Sequence, residues 1–129
     1  GEAPVALIVE TVAPEGYAGA VHIVLAVAAD GRVSGVRVTS HRETPGLGDY
    51  IDPRKDRNKG APWITQFNGH SLAETGATQW AVKRDGGMFD ARAGATISAR
   101  AVTNATRRAL EFVQQHGEQL FAAPPGSSL

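Results

Sequence analysis

The chain has 129 residues, 42% hydrophobic and 20% charged, with thirteen Lys and Arg against thirteen Asp and Glu. That length fits one domain around one core, and the zero formal charge argues against nucleic acid as the main partner. No apolar run approaches the roughly 18–20 residues of a membrane span, and the lack of cysteine excludes disulfides, thiolate zinc sites and thiol catalysis while leaving the compartment open.

The start, Gly1-Glu2-Ala3-Pro4, has neither an initiating Met nor a signal peptide, and any targeting or anchoring segment is expected to have been cut away. It leads into Val5–Val12, a β-branched run ended by the turn cluster Ala13-Pro14-Glu15-Gly16. Ala20–Ala29 reads as a second strand. Asp30-Gly31 offers the positive-φ residues of a tight hairpin, and Val33–Thr39 follows as a third strand, with Gly35 marking a bulge. His41–Gly60 reads as loop, and its mixed charges from Arg54 to Lys59 as a solvated stretch. Pro62–Phe67 is a short helix with Pro in its first turn, and Gln79–Lys83 alternates like a short strand closed by Asp85-Gly86-Gly87.

The clearest helix begins at Thr96. Ala101, Ala105, Ala109, Phe112, Val113 and His116 recur at helical spacing, Arg100, Arg107, Arg108 and Glu111 fall toward the other side, and Gly117 is a plausible stop. Strands first and a long helix last, without βαβ alternation, predict an α+β fold with a mainly antiparallel sheet, a long C-terminal helix and a short middle helix. The expected organisation is a domain over 1–121 and a flexible tail over 122–129, in part of linker origin.

Two glycine-rich stretches carry the candidate chemistry. In His41-Arg42-Glu43-Thr44-Pro45-Gly46-Leu47-Gly48-Asp49, Pro fixes φ while the glycines permit positive φ and close approach of a ligand. The plain alternative is a connector between sheet and helix. The second, Asp90-Ala91-Arg92-Ala93-Gly94-Ala95-Thr96, runs into the long helix. Free N–H groups and the helix dipole there favour phosphate, although Thr96 also reads as an ordinary capping threonine. The four histidines have neither the i, i+4 spacing nor a partner cysteine, so no metal site is expected. Neither a nucleophile elbow nor a Walker loop is present.

The two stretches together, with Pro14-Glu15-Gly16-Tyr17-Ala18-Gly19, Trp80-Ala81-Val82-Lys83-Arg84-Asp85-Gly86-Gly87, Trp63-Ile64 and Ala101–Ala105 in that framework, resemble the FMN-binding domain found in the G component of the Rnf electron-transport complex. The chain is more distantly similar to the C component of the sodium-translocating NADH:quinone reductase. The resemblance runs to about Leu120. It implies FMN held by a phosphoester on the last Thr of Asp-x-x-Ser/Thr-Gly-Ala-Thr, which is Thr96 here, with Gly94 and Ala95 beside it and Asp90 read by a flavin transferase.

One departure is Ala93, where the family has Ser or Thr. A second copy of the core, Thr75-Gly76-Ala77-Thr78, matches better locally. It has Leu72 in place of the Asp, however, and no helix is expected after it, so Thr96 is favoured over Thr78.

The resemblance further places Glu43, Thr44 and Leu47 against the flavin ring, with backbone from Gly46 and Gly48 closing over it. Tyr17 borders the ring, Lys83 stabilises its reduced form or the phosphate, and Arg92 reaches for the phosphate. Each has a plain alternative: a solvated carboxylate for Glu43, core for Leu47, an exposed lysine, a half-buried turn tyrosine, a surface arginine.

The implied role is an electron-transfer flavoprotein domain without a substrate of its own. It would be the redox component of an ion-translocating ferredoxin:NAD oxidoreductase, on the periplasmic face of the bacterial inner membrane and anchored by an N-terminal helix absent from this sequence. Its partners would be the other subunits of the complex. A non-redox module using the same loops for a ligand or partner chain stays open. A free-standing flavin reductase would need a dinucleotide fingerprint, and the sequence has none.

Overall fold

The structure, a computed structural model, describes residues 6–92 and 94–122, with only the helical backbone described for 118–122. Three strands, β1 (Ala6–Ala13), β2 (Val21–Ala28) and β3 (Val33–Ser40), form an antiparallel sheet in sequence order. In β2 burial alternates strictly, as a sheet with one covered face requires: Val21, Ile23, Leu25 and Val27 point into the core, with Val33, Val36 and Val38 beside them from β3.

The hairpin joining β2 and β3 departs from the sequence expectation. Gly31 alone has positive φ, at 87°, and its N–H donates to Ala28 O at 2.8 Å while Ala28 N–H donates to Arg32 O at 2.8 Å. That is a turn closed by a left-handed glycine, the usual three-residue hairpin solution, and Asp30 takes no part in the positive-φ geometry. The bulge expected at Gly35 is present: the partner of β2 steps from Gly35 to Val33 between Ala26 and Val27, leaving Ser34 as the extra residue.

The segment between β3 and the long helix holds little regular structure. It contains 3-10 helices at Gly48–Ile51, Trp63–Phe67 and Lys83–Asp85, and the single-turn helix α1 (Leu72–Thr75). The short middle helix after Pro62 is thus a 3-10 helix. α1 has no counterpart in the sequence reading and is capped by Ser71, whose hydroxyl accepts from Glu74 N–H at 3.1 Å.

Gln79–Lys83 is not a strand. Phe89 N–H donates to Ala81 O and Lys83 N–H to Phe89 O, so a tight loop through Gly86 and Gly87 returns Phe89 alongside Val82 in a single parallel bridge. A Cβ at Gly87 would strike the backbone of Ala81, which makes glycine obligatory in this loop. The fold-back buries Trp80 beside Phe67 and Phe89, with Trp80 and Phe89 centroids 4.9 Å apart.

The helix α2 (Thr96–Ala122) lies against β1 and β2. Ala99, Ala101, Val102, Ala105, Ala109, Leu110 and Val113 are buried; the alanines let the helix approach the sheet closely, and each larger aliphatic contributes about 1.5–3 kcal/mol. Thr103 and Thr106 are also buried, their hydroxyls bonded to Ala99 O at 2.7 Å and Val102 O at 2.8 Å, so neither is left unsatisfied.

Two expectations for the helix fail. Phe112 is 44% exposed, because the buried stripe follows Val102, Ala109 and Val113 and leaves position 112 at its margin. Gly117 does not end the helix, which continues to Ala122, the first residue of the tail expected over 122–129; the rest of that tail, 123–129, lies outside the described residues. No helix among the described residues is long and apolar enough to cross a membrane.

Candidate functional site

The loop after β3 is shaped by its prolines and glycines for two different reasons. Thr44-Pro45-Gly46-Leu47 is a turn closed by Leu47 N–H on Thr44 O at 3.0 Å, with Gly46 at φ 79°, the type II pattern that asks for Pro then Gly. Nothing lies within 4 Å of a Cβ built on Gly46, so conformation and not space demands glycine there. The Gly46 N–H is used by Asp49 Oδ1 at 3.1 Å. The backbone N–H of Gly46 is thus engaged within the loop, and Gly46 does not line the cleft described below.

Gly48 is needed for space instead. A Cβ there would lie well inside contact distance of Ser98 Oγ and 3.1 Å from Glu43 Oε2.

At the far end of the site, Gly94 turns the chain at φ 82° into α2, whose first residue is Thr96. The hydroxyl of Tyr50 stitches this turn to the first loop: it accepts from Arg92 N–H at 3.2 Å and donates to Ala95 O at 2.8 Å. Burial is the main cause that raises the Tyr50 phenol above its ordinary value, against a lowering by the Arg92 backbone N–H.

Together these segments enclose a cleft of about 140 Å³ lined by Tyr17, Glu43, Thr44, Leu47, Gly48, Gly94, Ala95, Thr96, Ile97 and Ser98. Tyr17, Glu43, Thr44, Leu47, Gly48, Gly94, Ala95 and Thr96 are thus brought to one place from three separate parts of the chain. Tyr17, Leu47 and Ile97 stand at its mouth as exposed apolar side chains. Thr96 is half-buried in the first turn of the helix, where unpaired N–H groups and the positive end of the dipole favour an anion.

Glu43 is not the solvated carboxylate of the plain alternative: it is 4% exposed, and its Oε2 accepts from Ser98 Oγ and from Tyr17 N–H at 3.3 Å.

Lys83, Asp90 and Arg92 do not line this cleft. Lys83 Nζ pairs with Asp90 Oδ1 at 2.6 Å in an exposed contact. The Asp90 backbone is held firmly, its N–H on Gln66 Oε1 at 2.8 Å and its carbonyl accepting from Trp63 Nε1 at 2.5 Å and Gln66 Nε2 at 3.1 Å, so its carboxylate projects outward. Arg92 stacks over the Tyr50 ring and pairs with Asp56 at 2.8 Å.

Asp56 is fully buried, which corrects the reading of the Arg54–Lys59 charges as solvated: the aspartate turns inward, where Arg92 and the Trp63 N–H at 2.6 Å neutralise and satisfy it. Ser98, Ile97 and Tyr50 escaped the sequence reading. A serine two positions past Thr96 in the helical first turn was the available signal for Ser98, and Tyr50 had none.

The second motif copy is placed differently. Thr75 ends α1, Gly76 follows it at φ 86°, and Thr78 is exposed in a turn beyond. No helix N-terminus follows it, so nothing there gathers N–H groups for a phosphate.

Residues 16–111 match the family described as FMN-binding domain. The chain belongs to the FMN-binding domain family. Relatives include the G component of the ion-translocating oxidoreductase complex of Vibrio cholerae, 45% identical over 121 residues, covering 94% of this chain and 56% of that protein. The same component from Pseudomonas aeruginosa is 46% identical over 117 residues, covering 91% and 52%. The crystal structure of Shewanella oneidensis NqrC superimposes with a TM-score of 0.60 at 27% identity, over 92% of this chain and 55% of that one. The chain thus spans about half the length of the curated relatives it matches.

The cleft of this FMN-binding domain suits one end of the cofactor. At about 140 Å³ it is smaller than the roughly 300–1,000 Å³ of sites that enclose a drug-sized ligand. Its floor lies at the helix start, and Tyr17, Leu47 and Ile97 form an exposed apolar mouth, a polar and an apolar surface that would suit the phosphate and the ring respectively.

Proposed function

We propose that this chain is the FMN-carrying electron-transfer part of the G component of an Rnf-type ion-translocating oxidoreductase, with FMN esterified through its phosphate to the Thr96 hydroxyl. The observation that carries this reading is the position of Thr96: it is the first residue of α2 and it faces a cleft that the separate Glu43–Gly48 loop completes. Bound FMN supplies the redox chemistry, accepting and passing electrons. The protein's part is to place the phosphate where dipole and amides receive it, to hold the loop against it, and to present an apolar rim.

In the proposed assembly the domain stands on the periplasmic face of the bacterial inner membrane, joined by an N-terminal anchor, and hands electrons among the other subunits while the complex moves ions. A separate flavin transferase attaches the cofactor. The outward carboxylate of Asp90, on a backbone fixed by Trp63 and Gln66, supports its role as the group that enzyme reads.

The test is production together with a flavin transferase, followed by denaturation and visible absorbance. Flavin absorbance should stay with the unfolded chain, and Asp90→Ala should lose it while keeping the wild-type melt. An uncoloured wild-type chain, or an Asp90→Ala chain labelled as fully as wild type, contradicts the reading.

A further inference from the structure

The Glu43–Ser98 contact is a buried polar link between the loop and the helix start. Ser98 is 2% and Glu43 4% exposed. Glu43 Oε2 takes the Ser98 hydroxyl and the Tyr17 N–H together, while the Glu43 N–H donates to His41 Nδ1 at 3.0 Å. One carboxylate thereby joins the turn between β1 and β2, the Glu43–Gly48 loop and the first turn of α2.

The packing around the link is built for it. A Cβ on Gly48 would collide with Ser98 Oγ, and one on Gly16 would collide first with the Gly19 carbonyl and also come to 3.0 Å from Glu43 Oε1. Oε1 itself is buried without a hydrogen-bond partner among the described residues, an expensive arrangement unless the group is held for a purpose. No Lys or Arg pairs with Glu43 among the described residues; its compensation comes from the Ser98 hydroxyl, the Tyr17 N–H and the positive end of α2.

We propose that Ser98 is a positioning residue for the flavin, acting through Glu43. The Ser98–Glu43 hydrogen bond, seated between Gly16 and Gly48, latches the loop that carries Leu47 to the helix turn that carries Thr96. The latch sets the width of the cleft and so the way the ring rests on the Leu47 side of the mouth. This rests on the reading of Thr96 as the FMN attachment site. It assigns a function to a serine outside the attachment motif and gives Gly48 a steric reason distinct from the conformational one of Gly46.

The experiment compares wild type, Ser98→Ala, Gly48→Ala and the double variant, unloaded and flavin-loaded. In unloaded chains Gly48→Ala should lower the melting temperature sharply. Ser98→Ala added to it should restore part of the loss, because removing Oγ vacates the space the new methyl needs. In loaded chains Ser98→Ala should keep flavin on Thr96, yet show raised flavin fluorescence and faster quenching by acrylamide than wild type, a change that an altered melt alone does not produce.

An unloaded Ser98→Ala chain that melts like wild type overturns the latch, and a double variant no more stable than Gly48→Ala overturns the steric reading of Gly48. Wild-type fluorescence and quenching in loaded Ser98→Ala overturns the positioning role. A wild-type chain that takes no flavin overturns the Thr96 reading and the positioning role with it, whereas the unloaded melts decide on the latch independently.

Discussion

Tyr50 holds the segment leading to Thr96 in shape with a single oxygen. Its hydroxyl serves Arg92 N–H and Ala95 O, groups at the two ends of the turn leading to Thr96, while its ring meets Trp63 edge-on at 5.4 Å. Tyr50→Phe keeps the ring and removes the oxygen, leaving both backbone groups without that partner. The expected cost is about 1–2 kcal/mol, read as a lower denaturant midpoint, with slower flavin attachment because Thr96 is less firmly placed.

The phenol adds a pH signature. Its folded value is raised, chiefly by burial, so its contribution is fully present below the ordinary tyrosine value of about 10 and is lost as pH rises through the higher folded value. Tyr50→Phe should flatten that alkaline loss; an unchanged alkaline limb would remove Tyr50 from the account.

The place of Thr96 at the head of α2 was legible in the sequence because a small-residue stretch running into a helix is a local pattern, while its reading as the attachment residue came from the family resemblance. Tyr50 and Ser98 were not, since each acts on a partner far away along the chain, Tyr50 across 45 residues and Ser98 across 55, and no pattern in one sequence announces such a pairing.

At the level of elements, the three strands and α2 follow from periodicity, because each buries one face against the other. Gln79–Lys83 carries the same alternation but lacks a partner strand. Its neighbours are its own downstream residues, and Gly86 and Gly87 bend it into a loop that brings Phe89 alongside Val82. The Arg54–Lys59 stretch misled for a related reason: charge content speaks of solvent, whereas pairing decides whether an aspartate turns inward, as Asp56 does toward Arg92.

Loops of this kind are fastened by ion pairs, and that gives them an acid limit. Hydrogen bonding from Arg54 is the largest cause that lowers the Asp52 carboxyl, and hydrogen bonding from Arg100 does the same for Asp85. A lowered folded value means the stabilisation is present above the ordinary aspartate value of about 3.9 and is lost as pH falls through the folded one. Thermal melts should therefore be level near neutrality and decline below about pH 4. Asp52→Asn should be less stable near neutral pH and show a shallower acid decline. Equal acid slopes for the two proteins would show that Asp52 does not contribute.

For the molecule as a whole, α2 serves two purposes. Its buried stripe joins the sheet to the irregular segment, and its first turn forms one wall of the cleft, so the core that stabilises the fold also fixes the proposed attachment site. The central claim is that Thr96, and not the better local match at Thr78, receives the flavin. The most direct measurement is mass spectrometry of the chain produced with a flavin transferase, first intact and then as tryptic peptides. A single gain equal to FMN less one water is expected, carried by the peptide containing Thr96 and absent from Thr96→Ala. Flavin on the peptide containing Thr78, or a Thr96→Ala chain that still gains it, would contradict the account.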